Sequence, residues 1–142
     1  MAEGIMAEKL ENAGLNFKVD SCGFESFHVG DTPDPRAIQT TRKRGIDISS
    51  HRARLFKTSD FDEFDLILAM DDTHYRNILK KCRSDKDKSK VCYMLDSIAP
   101  GMQEEVQDPW YHDQRAFEEV FQLLDKASQA WVNKLKKSHD RR

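Results

Sequence analysis

The chain has 142 residues, a length that suits one domain with its own hydrophobic core. Charged residues make up 34% of the sequence but the formal net charge is only −2, so the composition gives no indication of a nucleic-acid-binding surface. No apolar run reaches the length of a membrane-spanning helix, and no secretory signal pattern opens the chain. We therefore expect a cytoplasmic protein with neither membrane nor nucleic-acid partners.

The three cysteines, Cys22, Cys82 and Cys92, are an odd number, which predicts reduced thiols rather than a disulfide framework. None of them has the paired Cys/His spacing of a zinc site. The sequence therefore predicts no metal and no cofactor.

The beginning of the chain predicts a helix, a strand and a loop. Apolar residues recur at helical spacing over residues 2–13, and Gly14 follows where a C-terminal cap belongs. The alternation of Phe17–Ser21 predicts a short strand, and residues 22–30 are expected to form a loop.

A second helix is predicted to begin at Asp34-Pro35. Aspartate is a favoured N-cap residue and proline suits the first helical turn, while Gly45 is placed to end this helix. The residues that follow, Ile46–Leu55, are less periodic and predict an extended connection or a single turn.

Two further strands are predicted in the second half of the chain. Phe64–Met70 is almost continuously apolar towards its end, which is typical of a parallel strand buried on both faces. Asp71, Asp72 and Thr73 can cap the short helix that follows this strand. A charged loop over Arg83–Lys90 then leads into a predicted strand over Val91–Leu95.

The last helix has the clearest pattern in the sequence. Its apolar positions recur at intervals of three and four residues, which marks one face of a helix. These positions are Phe117, Val120, Phe121, Leu124, Ala127, Trp131 and Leu135.

The alternation of helices and strands along the chain predicts the fold class. It is typical of an α/β domain with a doubly wound parallel sheet, in a three-layer α/β/α arrangement. Ligands bind such sheets where the strand order reverses, usually after the first strand. Because the chain opens on a helix, we expect that first strand to be absent from this chain.

The stretch Asp108-Pro109-Trp110-Tyr111 carries the most specific chemistry in the sequence. Proline disfavours helix in the residue before it, so Asp108 is predicted to lie in extended chain just ahead of a turn. An acid beside two aromatic residues can form a slot for a flat substrate with a proton donor at its rim. The alternative is a surface turn whose aromatic side chains cover the neighbouring helix.

A series of short motifs extends this stretch to a pattern over most of the chain. They are Met1-Ala2-Glu3-Gly4-Ile5, Val19-Asp20-Ser21, Pro33-Asp34-Pro35-Arg36-Ala37, Gly45-Ile46, Ser50-His51-Arg52-Ala53-Arg54, Asp60-Phe61, Phe64-Asp65, Ala69-Met70-Asp71 and Asp108-Pro109-Trp110-Tyr111. In this order and spacing the sequence resembles the low-molecular-weight protein tyrosine phosphatase family, up to about Leu135.

The resemblance implies a site and a reaction. Asp108 would protonate the leaving tyrosine phenolate and then activate water to hydrolyse a phosphocysteine intermediate. Phe27, Trp110 and Tyr111 would bind the phenyl ring of the substrate. The implied ligands are phosphotyrosine proteins, small aryl phosphates, and phosphate or other oxyanions.

Two further residues match positions that support the phosphate-binding loop in this family. The resemblance implies that Ser21 and His51 hydrogen-bond that loop and keep its shape. Neither residue is expected to react with the substrate.

The chain departs from the family at the phosphate-binding loop. In the family a first strand leads into the pattern Cys, five residues, Arg, then Ser and Pro. In this sequence the sixth residue after each cysteine is His28, Lys88 or Ile98, and none of these is arginine. We therefore expect residues 1–142 to be a single, N-terminally truncated phosphatase-like domain that is inactive by itself.

Two other functions remain open from the sequence. One is a non-catalytic phosphotyrosine-binding or interaction remnant. The missing nucleophile favours this function, whereas the intact Asp108 argues against it, because a binding protein needs no general acid. The other is a relative of arsenate reductases, in which Cys82 and Cys92 would act as a thiol relay. The aromatic residues near Asp108 argue against arsenate, because arsenate has no ring to bind.

Overall fold

The structure is a computed structural model that describes residues 1–140, apart from the side chains of Phe27 and Tyr111. The helices are α1 (Ala2–Asn12), α2 (Pro35–Arg42), α3 (Asp60–Glu63), α4 (Asp72–Lys81), α5 (Asp85–Ser89) and α6 (Gln114–Asp140). The strands are β1 (Ile67–Ala69) and β2 (Val91–Tyr93). Short 3₁₀ turns occur at Ser26–His28, Met94–Ser97 and Pro109–Tyr111.

The two strands form a parallel sheet with helices on both faces. Ile67 pairs with Val91, and both side chains pack into a core that also contains residues of α3 and α4. The next pair, Leu68 and Cys92, packs against the opposite core, which is formed largely by α1 and α6. Successive side chains of a strand point to opposite faces, so this pairing yields the predicted layers of helix, sheet and helix.

The predicted ends of α1 and α2 are confirmed, and both helices end in the same way. Gly14 has a φ of +70° and Gly45 a φ of +77°, a conformation that glycine adopts without steric cost. The amide after each glycine donates to a carbonyl five residues earlier, from Leu15 to Leu10 at 2.9 Å and from Ile46 to Thr41 at 3.1 Å. These bonds satisfy carbonyls that would otherwise lack partners at the helix ends.

Helix α6 is confirmed and packs against both α1 and α2. The buried residues of this helix lie on the predicted face; they are Phe117, Phe121, Leu124, Ala127, Ser128, Trp131 and Val132. The Trp131 indole nitrogen donates to the Met94 carbonyl at 2.7 Å, which links α6 to the end of β2. None of the helices over residues 1–140 has the length and apolar character that crossing a membrane requires.

The strand predicted over Phe17–Ser21 is wrong. Alternating residues form a strand only when a neighbour supplies a hydrogen-bonded ladder, and these residues pair with no strand in the described part of the chain. The amide of Ser21 donates instead to the carboxylate of Asp20 at 2.8 Å. The side chain of Phe17 is 40% exposed. The β-pairing that follows this segment along the chain is an isolated parallel bridge between Gly23 and Leu55.

The prediction that Phe64–Met70 is buried on both faces is only partly right. The strand itself is shorter, Ile67–Ala69, and Leu66, Leu68 and Met70 are half-buried. The cause is the sheet order, since β1 has one hydrogen-bonded neighbour, β2, among residues 1–140.

Two local predictions further along the chain also need correction. The charged loop over residues 83–90 contains helix α5, because Ser84 caps it by accepting a hydrogen bond from the Asp87 amide at 3.3 Å. The strand predicted to reach Leu95 ends at Tyr93, since the Asp96 carboxylate accepts from the Tyr93 amide at 2.9 Å and starts a 3₁₀ turn.

Candidate active site

The segment 108–112, called the Asp108 loop below, contains a solvent-exposed carboxylate. Asp108 has an extended backbone with φ −75° and ψ 118°, as expected for a residue that precedes proline. One of its carboxylate oxygens accepts a hydrogen bond from the Trp110 amide at 3.0 Å. The carboxylate is therefore oriented by the turn that it begins, while the side chain stays accessible to a ligand.

Aromatic residues lie near this carboxylate along the chain. Trp110 follows in the 3₁₀ turn, and 52% of its surface is exposed. The backbone of Tyr111 belongs to the same turn, and its side chain lies outside the described part of the structure. A large, exposed indole beside an exposed acid is an arrangement that can contact an aromatic substrate.

Phe27 lies in the 3₁₀ turn Ser26–His28, and its side chain is also outside the described part of the structure. The loop that carries it is attached to the chain after His51 at both of its ends. Gly23 donates to the Arg54 carbonyl at 2.9 Å, and Gly30 donates to the Ala53 carbonyl at 2.8 Å. The backbone position of Phe27 is therefore set by these two hydrogen bonds between loops.

The fold brings Ser21 and His51 together. The Ser21 hydroxyl lies 3.3 Å from Nε2 of His51 and donates to the Glu3 carboxylate at 3.1 Å. The second Glu3 oxygen lies 3.4 Å from Nδ1 of His51. These three partly buried side chains form a closed polar cluster that joins α1 to two loops.

Sequence reasoning gave no role to Glu3 or to Arg36, although both lie in motifs that carry the resemblance. Glu3 completes the cluster with Ser21 and His51. Arg36 donates to the Trp110 carbonyl at 2.7 Å and also to the His112 carbonyl. No local sequence pattern indicates such contacts, because they join residues far apart along the chain.

The Asp108 loop and the Ser21 cluster remain separate. Across residues 1–140, no described hydrogen bond or ion pair joins Asp108 or Trp110 to Ser21, His51 or Glu3. Within these residues the two groups are therefore linked by no described polar contact.

The cysteines are poorly suited to act as nucleophiles. Desolvation raises the pKa of Cys22 to about 11, although this cysteine is exposed, and burial raises the pKa values of the half-buried Cys82 and Cys92. Cys82 packs against the core on one face of the sheet and Cys92 against the core on the other. This placement separates the two thiols that an arsenate-reducing relay would need to bring together.

Residues 1–140 contain no group of three or more His, Cys, Asp or Glu side chains placed to hold a metal ion. Asp71, which follows β1, caps helix α4 by accepting a hydrogen bond from the His74 amide at 2.8 Å.

Comparison with known proteins gives a consistent picture. The family described as low molecular weight phosphotyrosine protein phosphatase matches residues 1–141. A protein of that name from Schizosaccharomyces pombe is 38% identical over 129 residues, which cover 88% of this chain and 81% of that protein.

Solved structures of similar proteins superimpose on nearly the whole chain. A protein tyrosine phosphatase from Entamoeba histolytica, with Hepes in its active site, has a TM-score of 0.88 and 31% identity, covering 97% of this chain and 88% of the other. Wzb from Vibrio vulnificus in complex with benzylphosphonate has a TM-score of 0.81 and 25% identity, covering 94% and 87% of the two chains.

Proposed function

Because the chain belongs to the low-molecular-weight phosphotyrosine protein phosphatase family, we propose that it supplies the general acid and the ring-binding surface for phosphotyrosine hydrolysis. The observation that carries the proposal is the exposed Asp108 carboxylate, held by the Trp110 amide at 3.0 Å beside an indole that is 52% exposed. A carboxyl group in this setting can reach the bridging oxygen of an aryl phosphate bound against the ring.

The reaction would proceed in two steps. A cysteine thiolate attacks phosphorus, forming a P–S bond as the bond to the tyrosine oxygen breaks, and protonated Asp108 transfers its proton to that oxygen. Asp108, now ionised, takes a proton from water as the water oxygen attacks phosphorus and the P–S bond breaks. The products are tyrosine, inorganic phosphate and the regenerated thiolate.

The proposed substrates are phosphotyrosine proteins and small aryl phosphates, with phosphate and other oxyanions as ligands. An exposed indole favours a flat ring over an alkyl chain, because an aromatic pair gains about 0.5–1.5 kcal/mol beyond the area it buries. The benzylphosphonate bound to Wzb combines an aryl ring with a phosphonate group, which is the same pair of features.

We further propose that these 142 residues are inactive alone and that the active protein adds a strand and a Cys-x5-Arg loop ahead of them. The proposal is supported by the raised pKa values of all three thiols and by the one-sided pairing of β1 among the described residues. The phrase "extended chain" below means this sequence preceded by such a strand and loop. Three free cysteines agree with a cytoplasmic location.

A binding protein without catalysis is the second candidate. It is favoured by one observation, the absence of arginine at the sixth position after any cysteine of the sequence. Such a protein would use the Trp110 surface for phosphotyrosine and would have no need of an acid at position 108.

The test of the proposed function is Asp108→Asn in the extended chain. We expect it to keep phosphate binding but to slow hydrolysis of phosphotyrosine by about 10²–10⁴-fold, the usual contribution of general acid catalysis. Nitrophenyl phosphate has a better leaving group that depends less on protonation, so its hydrolysis is expected to slow less. Steady-state rates on both substrates measure this difference.

Asp113→Asn is the control, since Asp113 is an exposed carboxylate just beyond the Asp108 loop. It is expected to leave the ratio of the two rates unchanged. Equal slowing of both substrates by Asp108→Asn would exclude Asp108 as the proton donor. An extended chain that binds phosphotyrosine without any turnover would favour the binding protein.

A further inference from the structure

Arg36, which is not part of the Asp108 loop, holds that loop through hydrogen bonds to its backbone. It lies in the first turn of α2, and its guanidinium donates to two backbone carbonyls of the loop, those of Trp110 and His112. The first of these hydrogen bonds is 2.7 Å long. Since the two carbonyls lie on either side of Tyr111, the guanidinium spans the turn that follows Asp108. We propose that Arg36 is a positioning residue that fixes the orientation of the Asp108 carboxylate.

The guanidinium is itself fixed on its other side. The Asp34 carboxylate accepts from Nε of Arg36 at 3.1 Å and from Nη2 at 2.9 Å, and the Asp34 side chain is only 11% exposed. The Arg36 hydrogen bonds lower the pKa of Asp34, so this partner stays ionised. The centre of the Phe117 ring lies 4.5 Å from the guanidinium carbon, so the ring also packs against the guanidinium. Arginine offers a planar set of donors that can serve a carboxylate and two carbonyls together, which lysine cannot do.

The contacts of Arg36 lead directly to the Asp108 carboxylate. The carbonyl and the amide of Trp110 belong to one residue, so holding the carbonyl restricts the amide that donates to Asp108. The helix that carries Arg36 is also anchored. The Gln114 side chain donates to the hydroxyl of buried Thr40 at 2.6 Å and so joins α2 to the start of α6. A carboxyl group displaced by 1 Å can lose on the order of 10²-fold in rate, so such restraint matters for proton transfer.

The first test measures the loop and does not depend on catalysis. Amide exchange rates of Trp110 and His112 would be measured by NMR in Arg36→Ala and Arg36→Lys of the extended chain. We expect Arg36→Ala to raise these rates by about tenfold, as loss of a charged hydrogen bond implies. Arg36→Lys should have a smaller effect, because an ammonium can still reach one carbonyl.

Arg44→Ala is the matched control. Arg44 also bridges to α6, with its guanidinium 2.7 Å from Glu118 and 4.2 Å from the centre of the Phe121 ring, but its described contacts do not include the Asp108 loop. It should leave the two exchange rates unchanged. If both Arg36 variants match Arg44→Ala, the inference is overturned.

The second test is kinetic and rests on the proposed function. In the extended chain, Arg36→Ala should slow phosphotyrosine hydrolysis about 10–100-fold and nitrophenyl phosphate less, because a misplaced acid matters most for the poorer leaving group. Equal slowing on both substrates would refute the positioning role. If Asp108→Asn itself shows no dependence on the leaving group, the proposed function fails, and the exchange rates still decide whether Arg36 orders the loop.

Discussion

Trp110 is large, apolar and half-exposed, so its ring is accessible to an aromatic ligand. Its ring centre lies 5.9 Å from the Arg36 guanidinium, so the indole has a defined neighbour on one side. In the extended chain, Trp110→Ala is expected to reduce the preference for aryl over alkyl phosphates by up to about tenfold, from loss of ring contacts worth about 0.5–1.5 kcal/mol. The ratio of kcat/KM for the two substrate types measures this effect.

Trp110→Phe is the control for this prediction, because it retains a ring at the same position. It should keep most of the preference for aryl substrates. A preference that survives Trp110→Ala would mean that the indole packs on the protein and does not contact the substrate.

At the scale of the elements, Arg83 joins three helices through two carboxylates. It lies between α4 and α5, donates to Asp87 through its amide and through Nε, both at 2.9 Å, and reaches Asp62 of α3 at 2.7 Å. Asp87 is 3% exposed, and its hydrogen bonds to Arg83 lower its pKa from 3.8 to about 2. The junction therefore depends on an ionised and nearly buried carboxylate.

This junction gives a pH dependence of stability. The pKa of Asp87 is lower in the folded chain than in the unfolded chain, so its ionised form stabilises the fold at any pH above about 4. That contribution is lost as the pH falls from about 4 to about 2. In the extended chain, Asp87→Asn should lower Tm clearly at pH 6, and its difference from the parent should shrink towards pH 2. Thermal unfolding followed by circular dichroism at several pH values tests this.

Asp85→Asn provides the comparison, since Asp85 is an exposed carboxylate of the same short helix. It should change Tm little at either pH. A Tm difference for Asp87→Asn that stays constant from pH 6 to pH 2 would rule out the proposed role of its charge.

At the scale of the whole molecule, we expect β1 to be the least stable element. It pairs with β2 alone among the described residues, and the apolar side chains of Leu66, Leu68 and Met70 are only half-buried. Residues 17–21 form no strand and so supply no backbone hydrogen bonds to β1. Each unsatisfied buried backbone group costs roughly 1–3 kcal/mol, whereas a domain is stable by only about 5–15 kcal/mol. A few unpaired groups along β1 would therefore remove much of the stability.

We accordingly expect the 142-residue chain to fold poorly and to have no phosphatase activity. The activity is expected to be absent because no thiol has the environment of a nucleophile, and no arginine follows a cysteine at the required position. Thermal unfolding and nitrophenyl phosphate hydrolysis, each compared with the extended chain, test the two parts separately. Turnover above a no-enzyme control would contradict the expected lack of activity. A sharp unfolding transition at the Tm of the extended chain would contradict the expected instability of β1.

The sequence alone determined the features that depend on neighbouring residues. Gly14 ends α1 and Asp34 begins α2, and the apolar residues of α6 mark its buried face. Asp108 is extended because proline follows it. Each of these rests on backbone sterics, capping or helical periodicity, which act within a few residues and leave a pattern in the sequence.

The tertiary structure decided everything that needs a distant partner. Phe17–Ser21 has the pattern of a strand and forms none, since pairing depends on a neighbour that the local pattern does not specify. Arg36 reaches the Trp110 carbonyl across 74 residues, and Ser21 meets His51 across 30. Hydrogen bonds of this kind depend on where the folded chain brings two groups, so spacing along the sequence carries no sign of them.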